Sequence, residues 1–447
     1  MLSLLLYVGL AALLGSVPTG WTSVLGFSLE SGPLFRALTG LPRVDLSPSG
    51  SSRTLGALLV LLWALWLAAV VVWQRLSPAA RGRAHTLVVS GGVAMLALVV
   101  VLVPPVLSAD LYRQASYGHM VARWGLNPYA VRAVDVAGNP LLPFATQTQI
   151  TTIYGPAYTL LSAFAATLSP PTPLGAALAW KTLSALAALG TALLAAPLAR
   201  ALDDARSDAG LATLLLLWNP LVIVESAGAG HIEPVMMLPA VAGMLLVLRK
   251  RPVPGTAMLV VSVLTKWVTG LLLALVLLRE ARGAAPGRRG RTLLRLAGVA
   301  LLTAGCCYAP FATGLFARGG VHELAIHGGA PLGNPTRSWL PEWVVVLAFA
   351  ALVAAVARPA VRGGWPRLLA ATALLMLVFI VVVVPWLFPW YLIAPLVLAA
   401  VLPRSPRGFA MRLLCFGLGA VLMLHYARLV PCGDYPGLCA AIRTCWT

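Results

Sequence analysis

The sequence predicts an all-α protein that crosses a membrane many times, and three observations carry that prediction. Of its 447 residues, 60% are hydrophobic and only 10% are charged, whereas a soluble domain carries about 25% charged residues. Apolar runs of near spanning length recur from end to end, among them Leu55–Trp73, Leu87–Leu107 and Leu174–Leu198. About 20 apolar residues cross the hydrocarbon core as a helix, and lipid cannot satisfy free backbone groups, so these runs must be helical. The basic residues fall in short clusters between the runs, the topogenic pattern of cytoplasmic loops. The net charge of +19 is therefore read as membrane orientation, with membrane lipids as partners and no nucleic acid.

Taken in order, Leu2–Val17 is apolar without a basic residue. A cleaved signal peptide has a positive start, so this run reads as an uncleaved first helix. Leu55–Trp73 follows, then the basic loop Arg75–His85 and the helix Thr86–Val106. The stretch Asp110–Gly155 therefore lies outside, within a large first outer loop at 108–156. Ala157–Leu168, bracketed by Gly155-Pro156 and Pro170-Pro171, is too short to span and is expected to dip in and return. Leu174–Leu198, Leu211–Val224 and Val235–Leu248 read as crossings, with Gly228–Glu233 outside.

Arg249–Arg251 and Arg279–Arg295 both belong inside, yet only Gly255–Leu278 separates them. That run is expected to be a short broken-helix hairpin with its tip near Lys266–Trp267 at the outer face. Arg282–Arg291 reads as a flexible cytoplasmic connection. A second outer loop at 314–342 and an outer carboxyl tail at 428–447 follow from the inside clusters Arg358–Arg367 and Arg404–Arg407. The count is about 13 membrane segments in a single integral membrane domain, 1–447, with no fixed-period repeat. Cys306, Cys307 and Cys415 read as core residues. Cys432, Cys439 and Cys445 crowd the tail, where an oxidising compartment would favour a disulfide.

Ionisable groups at helix ends are costly in a membrane and point to function. Asp110 sits at the outer mouth of a helix, where a carboxylate can serve as a general base or remain an interfacial residue satisfied by water. The loop behind it carries Tyr112, Arg113, His119, Arg123, Asn127-Pro128 and Tyr154, a surface suited to sugars and phosphates. His231 and Glu233 follow a glycine turn. Two residues apart, they do not share a helix face, and one His with one Glu is too few ligands for a metal. Lys266 is either a snorkelling lysine or a point charge for phosphate, with Arg113 and Arg123 as companions. His322, Glu323, His327, Asn334 and Arg337 occupy the second loop without a helical zinc spacing. Pro385 to Tyr391, with Trp390 and Tyr391, is an aromatic belt or a ligand surface.

Together these segments resemble the GT-C superfamily of membrane glycosyltransferases, and most closely the bacterial polyprenyl-phosphate-mannose-dependent α-1,6-mannosyltransferases. The resemblance runs from Asp110 to Pro156, through Trp218–Glu233, to Lys266 and Pro389-Trp390-Tyr391. It implies that Asp110 is the catalytic base and that Lys266 is the lysine of the broken helix pair. The family's His-Asn-Asp-like motif falls on His231-Ile232-Glu233, with the middle polar residue lost and a longer acid. It implies inverting transfer of a sugar, expected to be mannose, from a polyprenyl-phosphate donor to a glycan or lipid-linked acceptor at the outer face of the cell membrane, with no cofactor. Tyr112, Tyr154, His119, His231, Glu233, Trp390 and Tyr391 are the expected substrate contacts. A multi-pass transporter or flippase is the alternative, since it uses broken helices and buried charges too.

Overall fold

The computed structural model describes residues 1–16, 31–108, 110–203, 205–314, 341–384 and 387–429. The polar residues of the second outer loop, Pro385, Trp386 and the tail cysteines Cys432, Cys439 and Cys445 lie outside them. All regular structure among the described residues is helical. Seven helices there are long and apolar enough to cross a membrane, and an eighth candidate is a broken pair, Ala209–Leu217 with Pro220–Gly228, bent by 53°. Shorter apolar helices such as Leu2–Ser16, Pro156–Leu168, Glu233–Leu248 and Pro252–Val263 complete the bundle.

Helix starts are written in Ser/Thr/Asn-Pro pairs. Ser47, Ser77, Thr172 and Asn219 each cap a helix whose first residue is proline: α3 (Pro48–Arg75), α4 (Pro78–Leu102), α7 (Pro173–Leu202) and α9 (Pro220–Ile223). The cap oxygen satisfies a free N–H, and proline costs nothing where no intrahelical donor is needed. The remaining helices that matter below are α5 (Asp110–Trp124), α6 (Pro156–Leu168), α8 (Ala209–Leu217) and α10 (Glu233–Leu248). They are joined by α11 (Pro252–Val263), α12 (Gly270–Gly283), α13 (Arg289–Tyr308), α14 (Glu342–Arg362), α15 (Trp365–Val378), α16 (Ile393–Ala400) and α17 (Pro406–Leu429).

The long helices give the bundle two chemically different ends. At one end Asp208 accepts from Trp73 Nε1 (3.1 Å) and Arg404 Nη2 (2.6 Å), lies 3.4 Å from Arg81 Nη1, and caps α8 through Leu211 N. The basic loops Arg75–His85 and Arg404–Arg407 and the Asp203–Asp208 segment therefore share one end. At the other end Phe379, beyond α15, meets Trp267 with ring centroids 5.2 Å apart. Trp365–Val383 forms one span of 19 residues, so about 28 Å separates the two ends.

The hairpin expected at Lys266 is present as a break between α11 and α12, with a short 3₁₀ turn over Trp267–Thr269. Pro156–Leu168 is indeed a short helix of 13 residues, packed on α5. Two expectations need correction. Cys415 is buried, but Cys306 is exposed and Cys307 half-exposed on α13, a helix whose span is almost wholly unburied within the bundle. Thiols of a membrane helix face lipid as readily as core. The first outer loop, read as turn-rich, begins with the four-turn helix α5.

Candidate active site

The apolar run of α4 ends at Val103-Pro104-Pro105, where two prolines forbid continued helix. Its last carbonyls do not go unpaired. Lys181 of α7, fully buried, donates to Val99 O (3.2 Å), Val100 O (2.7 Å) and Val103 O, with its ammonium 4.3 Å above the Phe35 ring. A cation at a helix C-terminus meets both the free carbonyls and the negative end of the helix dipole. This anchor fixes where the chain leaves α4 and starts α5 at Asp110.

On α5 the polar residues Asp110, Arg113, Gln114 and Tyr117 fall at i, i+3, i+4 and i+7, one helix face. Arg113 Nη2 donates to Asp110 Oδ1 at 2.8 Å and to Tyr154 OH at 2.9 Å, and Nη1 donates to Gln147 Oε1. Gln114 Nε2 donates to Tyr154 OH (3.2 Å) and its Oε1 accepts from Tyr158 OH (2.6 Å). Burial opposes the charge on Arg113, but the Asp110 carboxylate and Tyr154 more than offset it and leave its pKa above the ordinary arginine value. The Asp110 side chain stays 27% exposed against 4% for Arg113. One carboxylate oxygen is thus held by a fixed cation while the group remains open to a reactant.

The second half of the site comes from two helix breaks. The π-helical turn Val224–Gly228 carries α9 into Gly230, whose φ of +70° favours glycine and where a Cβ would meet Leu111 at 2.5 Å. His231 follows, fully buried, with Nε2 3.3 Å from Glu225 Oε2 and its carbonyl accepting from Ser184 Oγ at 2.6 Å. Its imidazole stacks on Trp390 with centroids 4.0 Å apart and planes 18° apart, and Phe388 stacks on the other ring at 4.3 Å. Glu233 opens α10 and forms an ion pair with Lys266 Nζ, which also lies 4.5 Å over the Tyr391 ring.

The two halves are sewn together by backbone. Gly155 N donates to Thr265 O (3.3 Å) and Ala157 N to Leu264 O (3.1 Å). A Cβ on Gly155 would lie 1.9 Å from the Leu264 carbonyl oxygen, so the approach needs glycine. Asp110 is consequently close enough to act electrostatically on His231, Glu233 and Tyr391.

Asp110, Arg113, Tyr154, His231, Glu233, Lys266, Trp390 and Tyr391 therefore converge, at the end of the bundle opposite the Asp208 cluster. Three expected site residues do not join them. Arg123 spends its guanidinium on Ala166 O (3.1 Å), Ser169 O (2.6 Å) and His119 Nδ1 (3.3 Å), fastening α5 to the end of α6. His119 is buried against Trp180, and Tyr112 packs on Phe144. Lys266 does join, but as the partner of Glu233 rather than as an unshared charge. Gln114, Gln147, Tyr158 and the partnership of Glu225 with His231 escaped the sequence reading. The i, i+3, i+4 spacing from Asp110 to Gln114 was the signal for the first. Among the described residues no three His, Cys, Asp or Glu side chains form a metal-binding group.

Residues 8–282 match the family described as alpha-(1->6)-mannopyranosyltransferase, N-terminal domain. Alpha-(1->6)-mannopyranosyltransferase A of Mycobacterium tuberculosis is 31% identical over 193 residues, 41% of this chain and 36% of that protein. The protein of that name from Corynebacterium glutamicum is 29% identical over 185 residues, 41% of this chain and 37% of its own length. The matched stretch thus spans little more than a third of these relatives. No solved structure matches the chain.

Proposed function

Because the chain belongs to the alpha-(1->6)-mannopyranosyltransferase family, we propose that it is an inverting mannosyltransferase of the cell membrane. The donor is polyprenyl-phosphate mannose and the acceptor a glycan or lipid-linked glycan at the outer face, joined in α-(1→6) linkage. The observation that carries the reading is the convergence of an accessible carboxylate, Asp110, with the cations Arg113 and Lys266 at the end of the bundle away from the basic loops.

The chemistry follows from those groups. The acceptor hydroxyl gives its proton to Asp110 as its oxygen attacks the anomeric carbon. The bond from that carbon to the phosphate oxygen breaks, and polyprenyl phosphate leaves. Arg113 aims the Asp110 carboxylate, and with Lys266 it supplies positive charge where negative charge grows on the leaving phosphate. Glu233 and the Tyr391 ring hold the Lys266 ammonium at the break, leaving donors free for phosphate. His231 and Trp390 are buried, and their stack holds the half-exposed Phe388 and Tyr391 at the site, where aromatic rings can pack against sugar C–H groups. Phosphate is already a competent leaving group, so no nucleotide-binding loop is required.

The test is to supply purified protein with radiolabelled polyprenyl-phosphate mannose and a mannose-ended acceptor. The proposal expects label in the acceptor and stoichiometric polyprenyl phosphate. Movement of an intact solute across liposomes with no donor consumption would establish a transporter instead.

A further inference from the structure

At the basic end of the bundle a cavity of about 350 Å³ opens between the α14–α15 turn and the α16–α17 turn, with Arg367, Arg407 and Ser405 on its walls and Leu402 and Ala370 among its apolar lining. A second depression adjoins it through Gly363 and Arg367 and adds Arg358 and Arg362. All four arginines are exposed, and among the described residues none forms an ion pair with a carboxylate.

Positive residues at the cytoplasmic ends of helices orient a membrane protein whatever their arrangement. Here the arrangement is built. Arg279 donates to Val361 O (3.0 Å) and Gly363 O, and lies 4.5 Å over Trp365, so one wall is clamped by an internal guanidinium. Arg412 donates to Leu402 O (2.7 Å) and Pro403 O (3.2 Å), clamping the other. Arg404 is engaged by Asp208. Three arginines are thus spent on holding the two walls and the neighbouring loop, while four others surround the space between the walls. The starts of α15 and α17 border the same space, so helix dipoles add to its positive field.

We propose that this cavity binds the phosphate headgroup of an anionic phospholipid. Guanidinium forks suit a phosphodiester, the cavity lies at the end of membrane-spanning helices where headgroups reside, and its apolar lining suits the glycerol and upper acyl chains. The occupant would tie α14, α15 and α17 together at the membrane surface, on the far side from the Asp110 site. The proposal does not depend on the transferase reading.

Native mass spectrometry of the purified full chain, released from detergent doped with phosphatidylglycerol or phosphatidylcholine, tests it. Wild type should retain phosphatidylglycerol in preference to phosphatidylcholine. Arg358→Gln/Arg362→Gln/Arg367→Gln/Arg407→Gln should lose that retention by at least about tenfold. Arg249→Gln/Arg251→Gln/Arg288→Gln/Arg289→Gln removes equal charge away from the cavity and should keep it. If the fourfold variant fails to insert, Arg367→Gln/Arg407→Gln gives the same reading. Undiminished retention in the cavity variants, or equal loss in the control set, overturns the proposal. Displacement of the lipid by an equal concentration of inorganic phosphate would assign the site to free phosphate and overturn the lipid assignment.

Discussion

The imidazole of His231 lies face to face with the indole of Trp390, centroids 4.0 Å apart, although 159 positions separate them in the chain. The contact brings the end of a broken helix onto the aromatic run before α16. Such a pair contributes about 0.5–1.5 kcal/mol beyond its burial. Trp390→Phe should preserve most of the transfer rate, and Trp390→Leu should lower it by roughly 2–10-fold while the protein still inserts. Equal rates for the two variants, measured at saturating donor, would remove the stack from the mechanism.

Lys266 and Glu233 form an ion pair in which Glu233 is 2% and Lys266 22% exposed. Removing one partner strands a buried charge, which costs up to roughly 3–5 kcal/mol. Lys266→Ala should therefore lower thermal stability and raise the donor KM together. Lys266→Met/Glu233→Gln should recover the stability but not the donor affinity. A double variant with normal donor KM would show that the lysine serves the fold alone.

Arg123 and His119 give the opposite expectation. Arg123→Met should destabilise the α5–α6 junction and leave donor KM unchanged; a raised KM in folded protein would return Arg123 to the phosphate site. His119 is pushed down to about 4 from 6.5, first by burial and then by the Arg123 charge. The unfolded chain therefore takes up this proton before the folded one does. Its contribution to stability is complete above pH 6.5 and falls away progressively down to pH 4. The melting temperature of wild type should drop across that window more than that of His119→Gln, and parallel curves would contradict the assignment.

The two ends of the bundle predict labelling from opposite sides. In a background without native cysteines, Trp267→Cys should react with an impermeant maleimide added outside, and Gln74→Cys only after the membrane is opened. Reaction of Trp267→Cys from the cytoplasm alone would invert the topology and place the site on the other face.

Much of this architecture was legible from run lengths and charge. Basic clusters on both flanks of Gly255–Leu278 required a break, and the break is there, with Lys266 at it. Asp110 was legible as the residue where an apolar run stops. What stayed hidden depended on backbone partners that no side-chain pattern encodes. Arg123 reads as a free loop cation, but the carbonyls of Ala166 and Ser169 claim it. Lys181, in a run of alanines and leucines, gives no hint that three α4 carbonyls receive it. Helix α5 was missed because apolar counting passes over a polar helix, though Asp110, Arg113, Gln114 and Tyr117 carry its period.

Asp110 is the accessible carboxylate of the site, held by Arg113 at 2.8 Å. Asp110→Asn keeps the size and a hydrogen-bonding oxygen for Arg113 but removes the basicity. Loss of a general base slows a reaction by about 10²–10⁴-fold. The deciding measurement is the single-turnover rate of mannose transfer from polyprenyl-phosphate mannose by purified, donor-saturated Asp110→Asn against wild type. The variant should insert normally, bind donor nearly normally and transfer at a rate lower by about 10²-fold or more. A rate within a few-fold of wild type would contradict the general-base role and leave Asp110 an interfacial residue.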